Sequence, residues 1–424
     1  MGSDQITIYV FADWLNMSEP MLLGELKASK IRGKEVFSFE YDKAWLQSSQ
    51  ALTIDPELQL YSGQQYLNDT KGNFGIFLDS SPDRWGRLLM RRRQAAIARK
   101  EQKTEKKLFE TDYLLGVYDQ NRMGGLRFKT NLQGEFLDNN HHMAAPPWTS
   151  LRELEHASLK LEENDVVSDP DYLNWLNLLI APGSSLGGAR PKASVTDKEK
   201  NLWIAKFPSR YDELDIAAWE MVVLELAKNA GICVAEGQIK KFTGRHHTFL
   251  TKRFDRTSEQ RRVHFASAMT LLGYMDGVSY HEGVSYLELA EFITQHCINI
   301  AANLEQLWRR IVFSIAVSNT DDHLRNHGFL LTEQGWELSP AYDLNPNPTG
   351  SGLTLNISEN DNALDFELAL SVREYFRLSD PQAKKILKEI QLAVSRWEKI
   401  ADKFTIAKSE QAQMAAAFHV MKKI

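Results

Sequence analysis

The sequence predicts an α+β protein with two lobes and a small N-terminal subdomain rich in strands. Residues 5–41 contain three short apolar or alternating runs separated by turn residues, which indicates three strands. Residues 192–252 contain four further short strands around one amphipathic helix, and the chain beyond them is mostly helical. The expected division is an N-terminal subdomain at 1–130, a mixed lobe at 150–255 and a helical lobe at 256–424.

Composition limits the class of protein. A chain of 424 residues with 43% hydrophobic residues can bury a sizeable core and form two or three domains. The net charge of −6 argues against a general nucleic-acid coat but not against a local basic face. The two cysteines, Cys233 and Cys297, form no metal-binding or disulfide pattern, and no targeting or membrane segment is evident. We therefore expect a cytoplasmic location.

The first distinctive element after the N-terminal strands is a basic helix predicted over residues 84–107. Such a helix can attract the phosphates of DNA or an acidic partner, but it can also be an ordinary solvated face. Its cationic residues are Arg84, Arg87, Arg91, Arg92, Arg93, Arg99, Lys100, Lys103, Lys106 and Lys107.

A glycine- and serine-rich stretch, PGSSLGGARPKASV, occupies residues 182–195. Small residues let backbone N–H groups approach an anion, although many such stretches are plain turns. A hairpin follows and places Lys206 on its second strand, and the next helix, 212–230, carries Glu220. Glycine-rich loop, strand lysine and helix glutamate follow one another in this order in protein kinases. The alternative is a surface lysine and one of several helix carboxylates.

Two more strands lead to Arg253–Phe254–Asp255, a position where a hinge backbone could pair with adenine. The following segment, HFASAMTLLGY at 264–274, is predicted to be helical.

The most informative stretch is SNTDDHLRNHGFLLTEQGWELSPAYD, residues 318–343. It follows a predicted buried helix, and it holds Asp321, Asn326 five residues later, and Asp343 beyond a short hairpin. One carboxylate can orient or deprotonate an attacking hydroxyl, while amide and carboxylate oxygens suit magnesium. Two alternatives are a capped, solvated loop and a transition-metal site built on His323 and His327.

These motifs, in this order, resemble the HipA family of bacterial serine/threonine kinase toxins. The resemblance covers nearly the whole chain. The sequence motifs that carry it most specifically are SSPDRWGRLLM, LLGVYDQNRMGGLRF, SSLGGARPKA, KRFDR, NTDDHLRNHGF and SPAYDL. Lys252 stands where better-known members have a glutamate, and the loop reads GGARPK where some members have AGAQEK.

The resemblance implies a protein-kinase-like core, with the lobe at 150–255 binding nucleotide, and ATP and Mg²⁺ as cofactors. It also implies a toxin of a type II toxin–antitoxin system. Such a toxin joins a small DNA-binding antitoxin on operator DNA and phosphorylates a protein such as an aminoacyl-tRNA synthetase. The alternative is a catalytically weak module that acts as a co-repressor. The roles carried over are Asp321 as catalytic base; Asn326 and Asp343 as magnesium ligands; Lys206, Lys192, Gly187, Gly188, Asp343, Arg253 and Phe254 at the ATP site; Glu220 as the ion-pair partner of Lys206; and Ser185 or Ser184 as the autophosphorylated serine.

Overall fold

The structure is a computed structural model that describes residues 5–67, 71–163, 165–180, 188, 190–242 and 244–419. The chain forms two compact units, the first comprising Met1–Arg210 with Asp255–Met275, the second comprising Tyr211–Phe254 with Asp276–Ile424. Helices and strands occur in both units, which confirms the predicted α+β class with two lobes. The finer division into three segments stays a prediction.

The regular elements of the described residues are numbered along the chain. The strands are β1 Gln5–Ala12, β2 Met21–Ile31, β3 Lys34–Tyr41, β4 Gln65–Tyr66, β5 Leu126–Lys129, β6 Lys192–Thr196, β7 Leu202–Lys206, β8 Gly237–Lys240, β9 Thr248–Lys252, β10 His264–Ser267, β11 Gly328–Leu331 and β12 Trp336–Leu338. The helices are α1 Lys43–Gln47, α2 Gly75–Asp79, α3 Arg84–Lys100, α4 Glu110–Leu115, α5 Leu151–Lys160, α6 Tyr172–Ile180, α7 Ile216–Asn229, α8 Ala268–Leu271, α9 Tyr286–His296, α10 Ile300–Val317, α11 Phe366–Ser371, α12 Asp380–Val394, α13 Trp397–Lys403 and α14 Lys408–Met414. Among the described residues, none of these helices is both long and apolar enough to cross a membrane.

The N-terminal sheet has the order β4-β3-β2-β1-β5 with antiparallel neighbours. On β1, Ile8, Val10 and Ala12 are fully buried while the residues between them are partly exposed, as the alternating sequence predicts. Asp42 then begins α1, where its carboxylate accepts a 2.8 Å hydrogen bond from the N–H of Ala44. The three predicted strands are therefore confirmed, and a capped helix follows them.

A buried arginine ties together the loops of the first unit. Arg122 is fully buried, and its guanidinium donates hydrogen bonds to the carbonyls of Ser80, Leu114, Val117 and Leu137 at 2.8–3.0 Å. Burial lowers the pKa of this guanidinium to about 10, so it is still charged at neutral pH. One buried cation therefore donates to four carbonyls from different positions in this unit.

Helix α3 ends at Lys100, seven residues earlier than the sequence predicts. The next residues, EQKTEKK, offer no apolar face to bury, and Gln102 has a left-handed φ of 54°. Within the helix, Arg92 donates to the Leu161 carbonyl and Arg93 to Asn177 Oδ1, whereas Arg91 is exposed. Part of the basic face of α3 therefore stabilises the fold through hydrogen bonds to neighbouring segments.

The segment after the predicted hinge begins as strand β10 and turns helical only at α8, so the prediction of a helix over 264–274 was wrong. His264 is almost fully buried on β10, and its ring stacks on Trp14 with centroids 4.7 Å apart. A short apolar run does not by itself distinguish a buried strand from a buried helix.

Candidate functional site

The second unit places the informative stretch at the end of a largely buried helix, α10. Every residue of α10 from Ile311 to Val317 is buried, and the helix stops at Ser318, which has a left-handed φ of 49°. Asn319 then turns inward, with Nδ2 3.3 Å from Ser314 Oγ and its backbone N–H bonded to the Ser314 carbonyl at 2.9 Å. A rigid apolar helix therefore fixes where the polar loop starts.

Asp321 and Asn326 lie on this loop in contrasting environments. Asp321 is exposed, whereas Asn326 is only 5% exposed. Asn326 Nδ2 donates a 2.8 Å hydrogen bond to the Asp321 backbone carbonyl. Its Oδ1 is buried and has no hydrogen-bond partner among the described residues. A buried amide oxygen without a partner costs stability, so it calls for a functional explanation.

Asp343 is joined to the same loop after the β11–β12 hairpin. The Tyr342 hydroxyl donates to the Arg325 carbonyl at 2.7 Å, and the Asn345 N–H donates to Asn319 Oδ1 at 3.1 Å. Asp343 itself has a left-handed φ of 57°, and its Oδ1 accepts from Asn345 Nδ2 at 3.2 Å. The structure therefore brings the segments of Asp321, Asn326 and Asp343 together, as the sequence predicts.

A buried carboxylate of the same loop, Asp322, was not singled out from the sequence. Asp322 Oδ2 accepts hydrogen bonds from the Tyr286 hydroxyl at 2.7 Å and from Ser314 Oγ at 3.3 Å. His327 Nε2 lies 3.1 Å from Asp322 Oδ1, at ion-pair distance but off the hydrogen-bond axis. Burial favours a raised pKa for Asp322, but the nearby His327 and these hydrogen bonds outweigh it and lower the pKa. Asp322 thus anchors the loop from inside.

This anchoring bears on the transition-metal alternative. His327 is 1% exposed and faces Asp322. Across the part of the chain that the structure describes, no group of three or more His, Cys, Asp or Glu residues could hold a metal ion. His327 is therefore better explained as a partner of the buried carboxylate than as a zinc ligand.

The predicted hinge directly follows β9. Arg253 is 3% exposed, and the Phe254 ring lies 5.5 Å from the ring of Tyr342, the residue before Asp343. Nearby, the Ala341 N–H donates to the Cys233 carbonyl at 2.8 Å. The hinge and the Asp343 segment therefore share one packed region of the second unit.

The predicted phosphate-binding lysines lie on the β6–β7 hairpin of the first unit. Lys192 and Lys206 are directly opposite each other in the antiparallel register, and both are buried. Lys192 Nζ is 3.0 Å from Asp83 Oδ2 and 3.4 Å from the carbonyl of Gly188, which has a φ of 91°. The hairpin predicted from KASVTD and NLWIAKF is thus confirmed, with Lys206 as its last strand residue.

Ser184, Ser185 and Gly187 lie outside the described residues. Glu220 is buried on α7 of the second unit, whereas Lys206 belongs to the first, so their ion pair stays a prediction.

The family model for the HipA-like C-terminal domain matches residues 184–397, half of the chain. Two relatives of known sequence match as well. A putative kinase of Haemophilus influenzae is 28% identical over 179 residues, which cover 38% of this chain and 52% of that protein. The serine/threonine-protein kinase toxin HipA of Shewanella oneidensis is 29% identical over 191 residues, covering 38% and 43%. The chain thus aligns with about half the length of these relatives.

Among solved structures, the chain resembles one from the Shewanella oneidensis toxin–antitoxin complex of HipA, HipB and operator DNA. The TM-score is 0.62 at 20% identity, and the match covers 97% of this chain and 94% of that one. At that identity the likeness shows the fold alone. The fold and the loop define an α+β protein of the kinase-like class. Within that class, the family match shows that this chain belongs to the HipA family.

Proposed function

We propose that this protein is an ATP-dependent serine/threonine protein kinase. The observation that carries the proposal is the buried, unpartnered Oδ1 of Asn326 beside the exposed Asp321, on a loop bonded to the Asp343 segment. Kinases need one accessible carboxylate for the attacking hydroxyl and two oxygen donors for magnesium. Relatives named as kinases support the same assignment.

The donor set suits a hard cation. Asn326 Oδ1 and the Asp343 carboxylate would hold Mg²⁺, which when bound neutralises charge on the ATP phosphates. Asn326 Nδ2 donates a hydrogen bond to the Asp321 carbonyl. This bond fixes the orientation of the amide, so that Oδ1 points away from that carbonyl. Asp321, being exposed, can accept the proton of an incoming hydroxyl and orient its oxygen.

The rest of the ATP site is proposed from the resemblance to the family. We propose that lysines and glycines of the loop and hairpin contact phosphate, that the hinge contacts adenine, and that a helix carboxylate steadies the strand lysine. In this assignment the residues are Lys206, Lys192, Gly187, Gly188, Arg253, Phe254 and, as the steadying carboxylate, Glu220. That they serve the same nucleotide as Asp321 is part of the proposal.

The biological setting is proposed by analogy. The solved relative is a HipA toxin in complex with HipB and operator DNA, which favours a small DNA-binding antitoxin as partner here. We infer that the chain is the toxin of such a pair and phosphorylates a protein of translation, such as an aminoacyl-tRNA synthetase. A non-catalytic co-repressor built on the same fold is the second candidate.

The test is self-labelling with radioactive ATP and Mg²⁺. Asp321→Asn should reduce the labelling rate by about 10²–10⁴-fold, the range typical of a general base. The matched control is Asp380→Asn, an exposed carboxylate on α12, which should label like wild type. Mass spectrometry should locate the phosphate on Ser185 or Ser184. Labelling of Asp321→Asn at the wild-type rate would refute the assignment, and a wild type that never labels yet joins the antitoxin on DNA would favour the co-repressor.

A further inference from the structure

The block of residues 79–86, which precedes and begins α3, has no part in the assignment above, yet it is tightly held in the first unit. Asp79 accepts hydrogen bonds from the Ser267 N–H at 2.7 Å and from Ser267 Oγ at 2.8 Å. The carbonyl of Ser80 accepts from the buried Arg122. The start of the block is therefore fixed to the interior of the unit.

The other end of the block contacts Lys192 at two points. Asp83 is the N-cap of α3, where its Oδ1 accepts from the Gly86 N–H at 2.8 Å. Its Oδ2 lies 3.0 Å from Lys192 Nζ, an ion pair off the hydrogen-bond axis whose side chains are 2% and 4% exposed. Trp85 Nε1 donates to the Lys192 backbone carbonyl at 3.1 Å. Both the ammonium and the backbone of Lys192 are thus fixed by one block.

Fixing Lys192 in place matters because a second lysine lies directly opposite it. Lys192 pairs across the hairpin with Lys206, and like charges in directly opposite positions repel. Asp83 supplies a compensating charge to Lys192 inside a buried environment. Without it, the lysine side chain would lose its charged partner, and a binding phosphate would have to supply more of the ordering of that side chain.

We propose that Asp83, assisted by Trp85, is a positioning residue that presets Lys192 for the phosphates of ATP. This inference rests on the proposed kinase function and assigns the block a role in it. Asp83 does not touch the nucleotide; it acts through Lys192. A capping carboxylate that also holds a phosphate-binding lysine couples the start of α3 to the edge of the glycine-rich loop.

The test compares Asp83→Asn with wild type in the full chain. Asparagine still caps a helix but carries no charge, so the change removes the ion pair selectively. The ATP concentration for half-maximal self-labelling should rise about tenfold, since a freed lysine must be ordered by the nucleotide. The maximal rate should change by less than about threefold, because the groups acting on the hydroxyl are intact. Trp85→Phe should shift the same concentration in the same direction by a smaller factor.

Two further variants separate positioning from general damage. Asp112→Asn is the control, because Asp112 also caps a helix and pairs with a lysine, Lys106, but on the surface of the same unit. It should leave the ATP dependence unchanged. In a Lys192→Met background, Asp83→Asn should have no further effect on the ATP dependence, since the residue it positions is gone.

The inference is overturned if Asp83→Asn leaves the half-saturating ATP concentration unchanged or lowers it. It is also overturned if Asp83→Asn shifts that concentration equally in the wild-type and Lys192→Met backgrounds. Fluorescent ATP analogues with Mg²⁺ measure binding apart from transfer. If wild type neither binds the analogue nor labels, the kinase assignment itself fails, and this inference with it.

Discussion

Replacing Asn326 by leucine should leave the empty protein about as stable as wild type while removing its response to Mg²⁺ and ATP. The wild-type side chain makes one hydrogen bond, from Nδ2 to the Asp321 carbonyl at 2.8 Å, and leaves Oδ1 buried without a partner in the described structure. Losing a neutral hydrogen bond costs about 0.5–1.5 kcal/mol, whereas removing a buried unsatisfied acceptor gains about 1–3 kcal/mol. The Asp321 carbonyl keeps its second donor, the His323 N–H at 3.0 Å.

The two contributions nearly offset each other, so Asn326→Leu should change the free energy of unfolding by about 1 kcal/mol or less, in the stabilising direction. The matched control is Asn319→Leu. The Asn319 side chain donates to Ser314 Oγ and accepts from the Asn345 N–H, so its loss should destabilise by about 2–4 kcal/mol.

The assay is urea denaturation with and without saturating Mg²⁺ and ATP. At a ligand concentration about 100-fold above its dissociation constant, wild type should gain about 2.7 kcal/mol. Asn326→Leu should gain nothing, because the proposed ligand oxygen is gone. A full nucleotide response in Asn326→Leu, or a loss of several kcal/mol in its empty form, would show that Oδ1 is not reserved for a metal.

Two further predictions concern charge in the first unit. Burial lowers the pKa of His264 from 6.5 to about 3, so the unfolded chain binds its proton first and stability falls as pH drops below about 6.5. His264→Gln should abolish about 2 kcal/mol of the stability difference between pH 8 and pH 5, measured by urea denaturation. The same change at the exposed His156 should not, and an undiminished pH dependence in His264→Gln would contradict the assignment. If the proposed antitoxin complex forms and α3 touches its DNA, neutralising the exposed Arg91, Arg99 and Lys100 should flatten the salt dependence of DNA binding, by about one unit of log–log slope for each phosphate that is no longer neutralised. An unchanged slope would indicate that this face of α3 contacts solvent or an acidic partner and not DNA.

Local patterns in the sequence were enough to predict the core of the site. The apolar run 304–317 predicts the buried helix, and the five-residue interval from Asp321 to Asn326 predicts a loop that brings both to one place. Each of these inferences depends on neighbours within one turn or one hairpin. Periodicity and turn chemistry report such neighbours directly, which is why the helix, the loop and the hairpin were found.

Interactions between distant residues were not predictable in the same way. Asp322 accepts a hydrogen bond from Tyr286, and Lys192 forms an ion pair with Asp83. Nothing in residue type or spacing selects these partners. Nothing in the sequence distinguishes Arg92 and Arg93 from Arg91, yet these two bond to neighbouring segments. Burial of a charged group is decided by tertiary packing, which a single sequence does not display.

Arg122 has a consequence for how the first unit comes apart. Its two Nη groups, held in one plane by the guanidinium, donate to carbonyls at four positions between residues 80 and 137. A lysine has only three donors and no fixed plane, so it could not serve all four. None of these positions can open alone without breaking a hydrogen bond to the buried guanidinium. Residues 80–137 are thereby linked into one cooperative block that opens as a whole instead of fraying loop by loop.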